Sequence, residues 1–395
     1  MNKYVAITTS ISISNYGTKL QALAMCEIFR TKGYSPVILE FANTDRLNCF
    51  KRIKMEFGNF LKPIIWGRNY KYKFKFNKEY KNNESIKKDV LCRYKSIDKD
   101  DFLTPHYRFV GSSKSLKNFA KKYNLVVTGS DQVWHPIINK THLWFFTLNF
   151  ASKDTKRIAY APSLGVDELS KEQGETFRNL LQNMDFISLR EDSGVKAIQP
   201  LVDKPVSLVL DPTLLVGRSL WDKVIDENKV LQDEDYCLCY LLGTNQKHRE
   251  ICEIVAKKLN LKILNFAHFK AYNKGDESLS GEKLYDVSPT EFIGLIKNAK
   301  FVVTDSFHCS VFSMMYHVPF MTLLRFQKSD SLSTNTRIYS MLQQFGLGNR
   351  ILDNEEKIDE LLQAPIDFND VEKILGQKRE QSNTYLDKAL QDEKA

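Results

Sequence analysis

Short apolar runs alternate with amphipathic stretches along most of the 395 residues. Residues 4–9 form a brief apolar run and read as a strand. Leu20, Leu23, Ala24 and Ile28 recur at helical spacing within 18–31, which predicts a helix with one apolar face. Gly33 ends it, and Pro36 to Phe41 reads as a second strand. Leu125–Thr128, Ile158–Ala161, Phe186–Leu189 and Ser207–Leu210 are further short strands, with a helix over 168–183 between two of them. Strands alternating with helices predict an α/β protein with a largely parallel sheet.

Residues 217–235 interrupt this rhythm with polar and charged positions, apart from Leu220, Trp221, Val224 and Val230. It then restarts: strand Tyr236–Leu242, helix 247–259, strand Lys262–Phe266, helix 289–298, strand 301–303, helix 308–317 and strand Phe320–Leu323. Segments 270–288 and 326–335 read as loops, and the chain from 354 onward as a polar helical tail. The expected organisation is a domain over 1–215 with an insertion at 43–110, a second domain over 216–350, and a tail at 351–395. The halves echo each other. Asn124-Leu-Val-Val-Thr-Gly-Ser-Asp131 and Lys300-Phe-Val-Val-Thr-Asp-Ser-Phe307 are both apolar strands ending in a Thr-x-Ser turn. Each turn lies where a doubly wound sheet carries its ligands, so two facing domains with a site between them are expected.

The length suits two domains, and 43% hydrophobic residues supply two cores. The first apolar run is too short for a signal peptide, and no run approaches a membrane-spanning helix. The seven cysteines form no Cys-x-x-Cys pair and sit mostly in apolar surroundings, so buried free thiols and a cytoplasmic location are expected. The net charge of +9 is local: residues 46–95 hold 15 Lys or Arg against 4 Asp or Glu. Within it, 51–80 interleaves cations with aromatics such as Trp66, Tyr70 and Phe76. That pattern fits a strand with one lysine face, a nucleic-acid surface, or docking on an anionic membrane.

The polar constellations lie at predicted strand ends. Asn15 suits a helix cap, and Gly17 lets backbone approach a ligand, although the dinucleotide fingerprint is absent. Ser130, Asp131 and Gln132 follow a strand and offer acceptors in fixed directions for sugar hydroxyls. Trp134 either stacks on a sugar or packs in the core. Arg190 ends another strand, where its fork suits a carboxylate or phosphate, or an ion pair with Glu191 or Asp192. Asp211-Pro-Thr213 reads as a cap or hinge turn. The turn Thr304-Asp305-Ser306 opens a helix whose N-terminus suits an anion, with His308 in its first turn as a proton-transfer group. Arg325, Lys328 and Arg337 are further anion-binding candidates. No residue set has metal-ligand spacing, so metal-independent chemistry with no cofactor is expected.

Taken in order, Asn15-Tyr-Gly-Thr-Lys-Leu-Gln-Ala22, Gly129-Ser-Asp-Gln-Val-Trp134, Tyr160-Ala-Pro-Ser163, Ser188-Leu-Arg-Glu191, Asp211-Pro-Thr213 and Thr304-Asp-Ser-Phe-His308 resemble the polysaccharide pyruvyltransferase family. The resemblance implies two facing Rossmann-like domains, similar to the GT-B glycosyltransferase arrangement. It implies transfer of pyruvyl from phosphoenolpyruvate to a sugar, forming a cyclic ketal and releasing phosphate. The acceptor it implies is a lipid-linked repeat unit of a capsular polysaccharide or exopolysaccharide. A nucleotide-sugar glycosyltransferase on the same architecture is the alternative. The implied roles are proton transfer for His308 and phosphoenolpyruvate binding for Arg190, Ser306, Phe307, Arg325 and Arg337. Asn15, Gly17, Ser130, Asp131 and Gln132 would meet the sugar. A lipid-linked acceptor favours peripheral membrane contact through 51–80 over nucleic acid. Family members often read Arg-Leu-His-Gly where this chain has Ser306-Phe-His-Cys309, so one anion-binding Arg has to come from elsewhere.

Overall fold

The computed structural model describes residues 3–11, 15–45, 84–100, 104–230, 234–269, 273–326 and 333–391. The first sheet has seven parallel strands: β1 (Lys3–Thr8), β2 (Tyr34–Asn43), β3 (His106–Gly111), β4 (Leu125–Thr128), β5 (Lys156–Ala159), β6 (Phe186–Leu189) and β7 (Val206–Leu208). Their order is β3-β2-β1-β4-β5-β6-β7. The second sheet has six: β8 (Tyr236–Tyr240), β9 (Lys262–Asn265), β10 (Glu282–Lys283), β11 (Phe301–Thr304), β12 (Phe320–Leu323) and β13 (Ile351–Leu352), in the order β10-β9-β8-β11-β12-β13. Both are doubly wound: the order reverses beside β1 in one and beside β8 in the other, which opens a crevice at each carboxyl edge. Central strands β4, β8, β11 and β12 are buried at every position, as strands covered by helices on both faces must be.

Several stretches differ from the sequence reading because their signals are short. The segment 43–110, read as an insertion, contains β3, the edge strand of the first sheet, and a helix at Glu84–Ile97. Most of the basic stretch, including all of 51–80, lies outside the described residues. The segment 270–288, read as a loop, holds a helical turn at Gly275–Ser278 and the two-residue β10. Residues 351–352, placed in the tail, add β13 to the second sheet.

Helices tie the sheets together. Helix Tyr16–Thr31 is buried around most of its circumference. Ala22, Met25, Cys26 and Phe29 pack in the first unit, while Tyr16, Leu20, Leu23 and Ala24 enter the core of the second. Tyr16 stacks on Phe292 with ring centroids 4.7 Å apart, and its hydroxyl donates to the Val287 carbonyl at 3.0 Å. From helix Glu84–Ile97, Arg93 donates to the Leu284 carbonyl at 2.7 Å. The closing helix, Phe368–Gln391, spans about 36 Å at 1.5 Å per residue. Its Val371 and Leu375 lie in the second core, its Leu386 and Ala389 in the first. Tyr385 donates to the Ala159 carbonyl of β5 at 2.8 Å. A junction this apolar holds the two carboxyl edges in one geometry, and the site lies between them.

Candidate active site

The internal echo of the sequence falls on equivalent places in the two sheets. β4 and β11 each lie beside the first strand of their sheet, at the point where the order reverses. Thr128 and Thr304 make the same bond: the hydroxyl of one meets the Thr8 carbonyl at 3.4 Å, that of the other the Tyr240 carbonyl at 2.6 Å. Beyond these threonines the chain turns, into Gly129-Ser130-Asp131 in one unit and Asp305-Ser306 in the other. Asn15 caps helix Tyr16–Thr31 by accepting from the Gly17 N–H at 3.0 Å. Ser306 caps helix Phe307–Met315.

Arg190, just past β6, is the hub of the first unit's edge. Its Nη1 donates to Asp211 Oδ2 at 2.7 Å and its Nη2 to Asp131 Oδ1 at 3.1 Å, with Glu191 Oε2 3.8 Å from Nε. Burial alone would raise the Asp131 carboxyl; Arg190, His308 and Arg337 hold it below its ordinary value. Glu191 goes the other way. Burial raises it against the opposing charge of Arg190 and the N–H groups of Gly165 and Leu164. Its Oε1 accepts from those two N–H groups at 3.1 and 2.6 Å, and the Gly165 carbonyl accepts from the Thr336 hydroxyl at 3.0 Å. Glu191 therefore fixes the loop that meets helix Thr336–Gln344 of the second unit.

Asp211 is the member of the cluster that the sequence reading took only for a cap or hinge turn. It does cap the short helix Pro212–Leu215, as the Asp-Pro pair suggested: Oδ1 accepts from the Thr213 N–H at 3.0 Å and hydroxyl at 2.7 Å. Its Oδ2 serves the cluster, taking Arg190 and the Ser130 hydroxyl at 3.2 Å and lying 3.8 Å from His308 Nε2. Burial would raise this carboxyl too, but the His308 imidazole, Arg190 and the Thr213 hydroxyl hold it well below the usual carboxylate range. On its other side His308 packs against Gly17, where a Cβ would stand 2.3 Å from Nδ1. Both units thus contribute to one cluster.

The cations expected to bind an anion separate clearly. Arg325 donates to the Asp305 carbonyl at 2.9 Å and lies 3.3 Å from its carboxylate, which itself accepts from the N–H groups of Leu242 and Gly243, each at 2.7 Å. Arg325 and Asp305 thus brace the turn after β8. Arg337 enters the cluster. Its Nη1 is 3.8 Å from Asp131 Oδ1, its guanidinium is 5.8 Å from the Phe307 ring centroid, and among the described residues no hydrogen bond engages it. Burial first, and then the charge of Arg190, push it down to about 10. Arg190 sits over the same ring at 4.5 Å. Lys328 lies outside the described residues. Trp134 is fully buried and donates to the Phe146 carbonyl, so it belongs to the core. Gln132 is half-buried beside Gly165.

The arrangement offers a buried guanidinium with no hydrogen bond among the described residues, an imidazole 3.8 Å from a fixed carboxylate, and helix N-termini facing one crevice. The family model described as Polysaccharide pyruvyl transferase matches residues 15–325, a span that holds every residue of the cluster except Arg337. Among solved structures, the chain is similar to UDP-N-acetylglucosamine 2-epimerase from Rickettsia bellii. The identity is 10%, over 98% of this chain and 96% of that one, with a TM-score of 0.51. It is also similar to UDP-GlcNAc 2-epimerase from Methanocaldococcus jannaschii, at 11% identity, 93% coverage of each chain and a TM-score of 0.50. At such identities the likeness describes the fold: two facing Rossmann-like units in the GT-B manner. No curated protein sequence matches the chain.

Proposed function

The chain belongs to the polysaccharide pyruvyl transferase family, and from that premise we propose that it transfers pyruvyl from phosphoenolpyruvate to two hydroxyls of a sugar on a lipid-linked capsular or exopolysaccharide repeat unit. The observation that carries this reading is Arg337, buried and, among the described residues, without a hydrogen bond, beside Arg190 over the Phe307 ring. Phosphoenolpyruvate carries a phosphate and a carboxylate, and a desolvated guanidinium binds either with two parallel bonds. Arg337 supplies the charge that Ser306 cannot. Arg190, already facing three carboxylates, orders Asp131 and Asp211 and meets the donor's far side.

His308 gives a proton to the methylene carbon, making the adjoining carbon electrophilic. One sugar hydroxyl attacks that carbon and returns its proton to the imidazole. The second hydroxyl replaces phosphate, whose departure carries the remaining proton. Asp131 and Gln132, at the end of β4, orient the sugar. Membrane contact through 51–80 accompanies a lipid-linked acceptor.

The nucleotide-sugar alternative is disfavoured by Asp305, whose carboxylate takes the two N–H groups after β8 that a diphosphate would need. Incubation with phosphoenolpyruvate and a lipid-linked galactoside should release phosphate and add one pyruvate ketal to the acceptor mass. His308→Ala should abolish both. Wild-type turnover in that variant, or thermal stabilisation by UDP and not by phosphoenolpyruvate, sinks the reading.

A further inference from the structure

We propose that His308 exchanges protons through Nδ1 while Asp211 holds Nε2, which makes Asp211 the positioning residue of the proton-transfer step. The inference rests on the reading of the site given above. His308 Nε2 is shut away from solvent and has no hydrogen bond among the described residues, and Asp211 Oδ2 stands 3.8 Å from it. That carboxylate cannot swing aside. Thr213 binds Oδ1 twice, while Arg190 and Ser130 bind Oδ2. A carboxylate fixed on one ring nitrogen keeps the proton there and leaves the lone pair on the other. Ligand binding can tighten such a contact, since catalytic hydrogen bonds are often long before substrate arrives.

The other nitrogen faces Gly17. A Cβ on residue 17 would lie 2.3 Å from Nδ1, so the absent side chain makes the room in which this edge of the imidazole lies, while Nε2 is the ring nitrogen that is closed off and unpaired among the described residues. Among the charged groups around the ring, Asp211 stands 3.8 Å from Nε2, and Asp131 carries Arg190 and Arg337. Lys19, on the helix that carries Gly17, is paired with Asp98. In the transfer, Nδ1–H protonates the methylene carbon and the freed Nδ1 lone pair takes the hydroxyl proton. The proton on Nε2 stays in place, so the imidazole ends as it began.

The test uses the full chain labelled with 15N-histidine. Long-range 1H–15N spectra taken where His308 is neutral should show the Nε2–H tautomer, in the signal lost in His308→Gln. The Nδ1–H tautomer overturns the proposal. If His308→Gln does not fold, neutron diffraction of the wild-type protein locates the proton, with the same two outcomes. Asp211→Asn should lower kcat more than it changes KM; a variant with wild-type kcat also overturns the proposal. Absence of phosphate release from phosphoenolpyruvate would defeat the functional reading and leave the tautomer result standing, so the two failures are distinguishable.

Discussion

Gly17→Ala is a sharp perturbation because helix propensity and local packing predict opposite signs. Gly17 lies in the first turn of helix Tyr16–Thr31, where Ala improves helix stability by about 0.5–1 kcal/mol on propensity alone. Its Cβ would stand 2.3 Å from His308 Nδ1, 2.6 Å from Cγ and 2.9 Å from Cβ. Ordinary contact needs roughly 3.5 Å, so the imidazole has to retreat by about 1 Å. The helix cannot yield, since 13 of its 16 residues are buried between the two units. Across the ring stand Asp211 and Phe307, the latter edge-on with centroids 5.1 Å apart. Overpacking of this kind costs about 1–3 kcal/mol, and a displacement of about 1 Å at a reacting group costs on the order of a hundredfold in rate. Initial rates of phosphate release and the denaturant midpoint measure both. A variant as fast as wild type and equally or more stable would refute the packing of His308 on Gly17.

Other substitutions separate the parts of the account. Arg337→Met should weaken phosphoenolpyruvate binding at least about tenfold by calorimetry, the loss of a charge-assisted pair worth about 1.5–3 kcal/mol; unchanged affinity would remove Arg337 from the site. Asp305→Ala removes the acceptor of the Leu242 and Gly243 N–H groups and the carboxylate beside the Arg325 guanidinium, and should cost about 3–5 kcal/mol in urea unfolding. Tyr16→Ala should cost a similar 3–5 kcal/mol, because the ring fills the core of the second unit from a helix of the first; a loss under about 1 kcal/mol would contradict that junction. Asp211 and Asp131 have depressed pKa values in the folded protein, so their stabilising contribution is complete above the unfolded value of about 3.9 and is lost as pH falls below it. The stability gap between wild type and Asp211→Asn should therefore be widest near neutrality and narrow below about pH 4.

Much of the scaffold was legible because apolar strands and amphipathic helices carry periodic signals. β4, β6, β11 and β12 fall where short apolar runs placed them, and Asn15 caps the helix it precedes. What escaped was set by contacts distant in sequence. Leu20, Leu23 and Ala24 marked one apolar face of the first helix, yet the opposite face is buried as well, and no periodicity says which unit each face meets. Asp211 looked like a cap and is one; only the fold shows that its second oxygen lies between Arg190 and His308. Arg325 and Arg337 were equivalent as residues in a line. The strand end carries one to Asp305, and helix Thr336–Gln344 carries the other to Asp131. β10 and β13 are two residues each, too short for any pattern.

The most direct test of the central claim is a crystal structure with phosphoenolpyruvate bound. The account predicts the ligand between the two carboxyl edges, an anionic group in reach of the Arg337 guanidinium, and the methylene carbon facing His308 Nδ1. A ligand seated away from Arg337, or one whose methylene carbon lies beyond reach of His308, would contradict it.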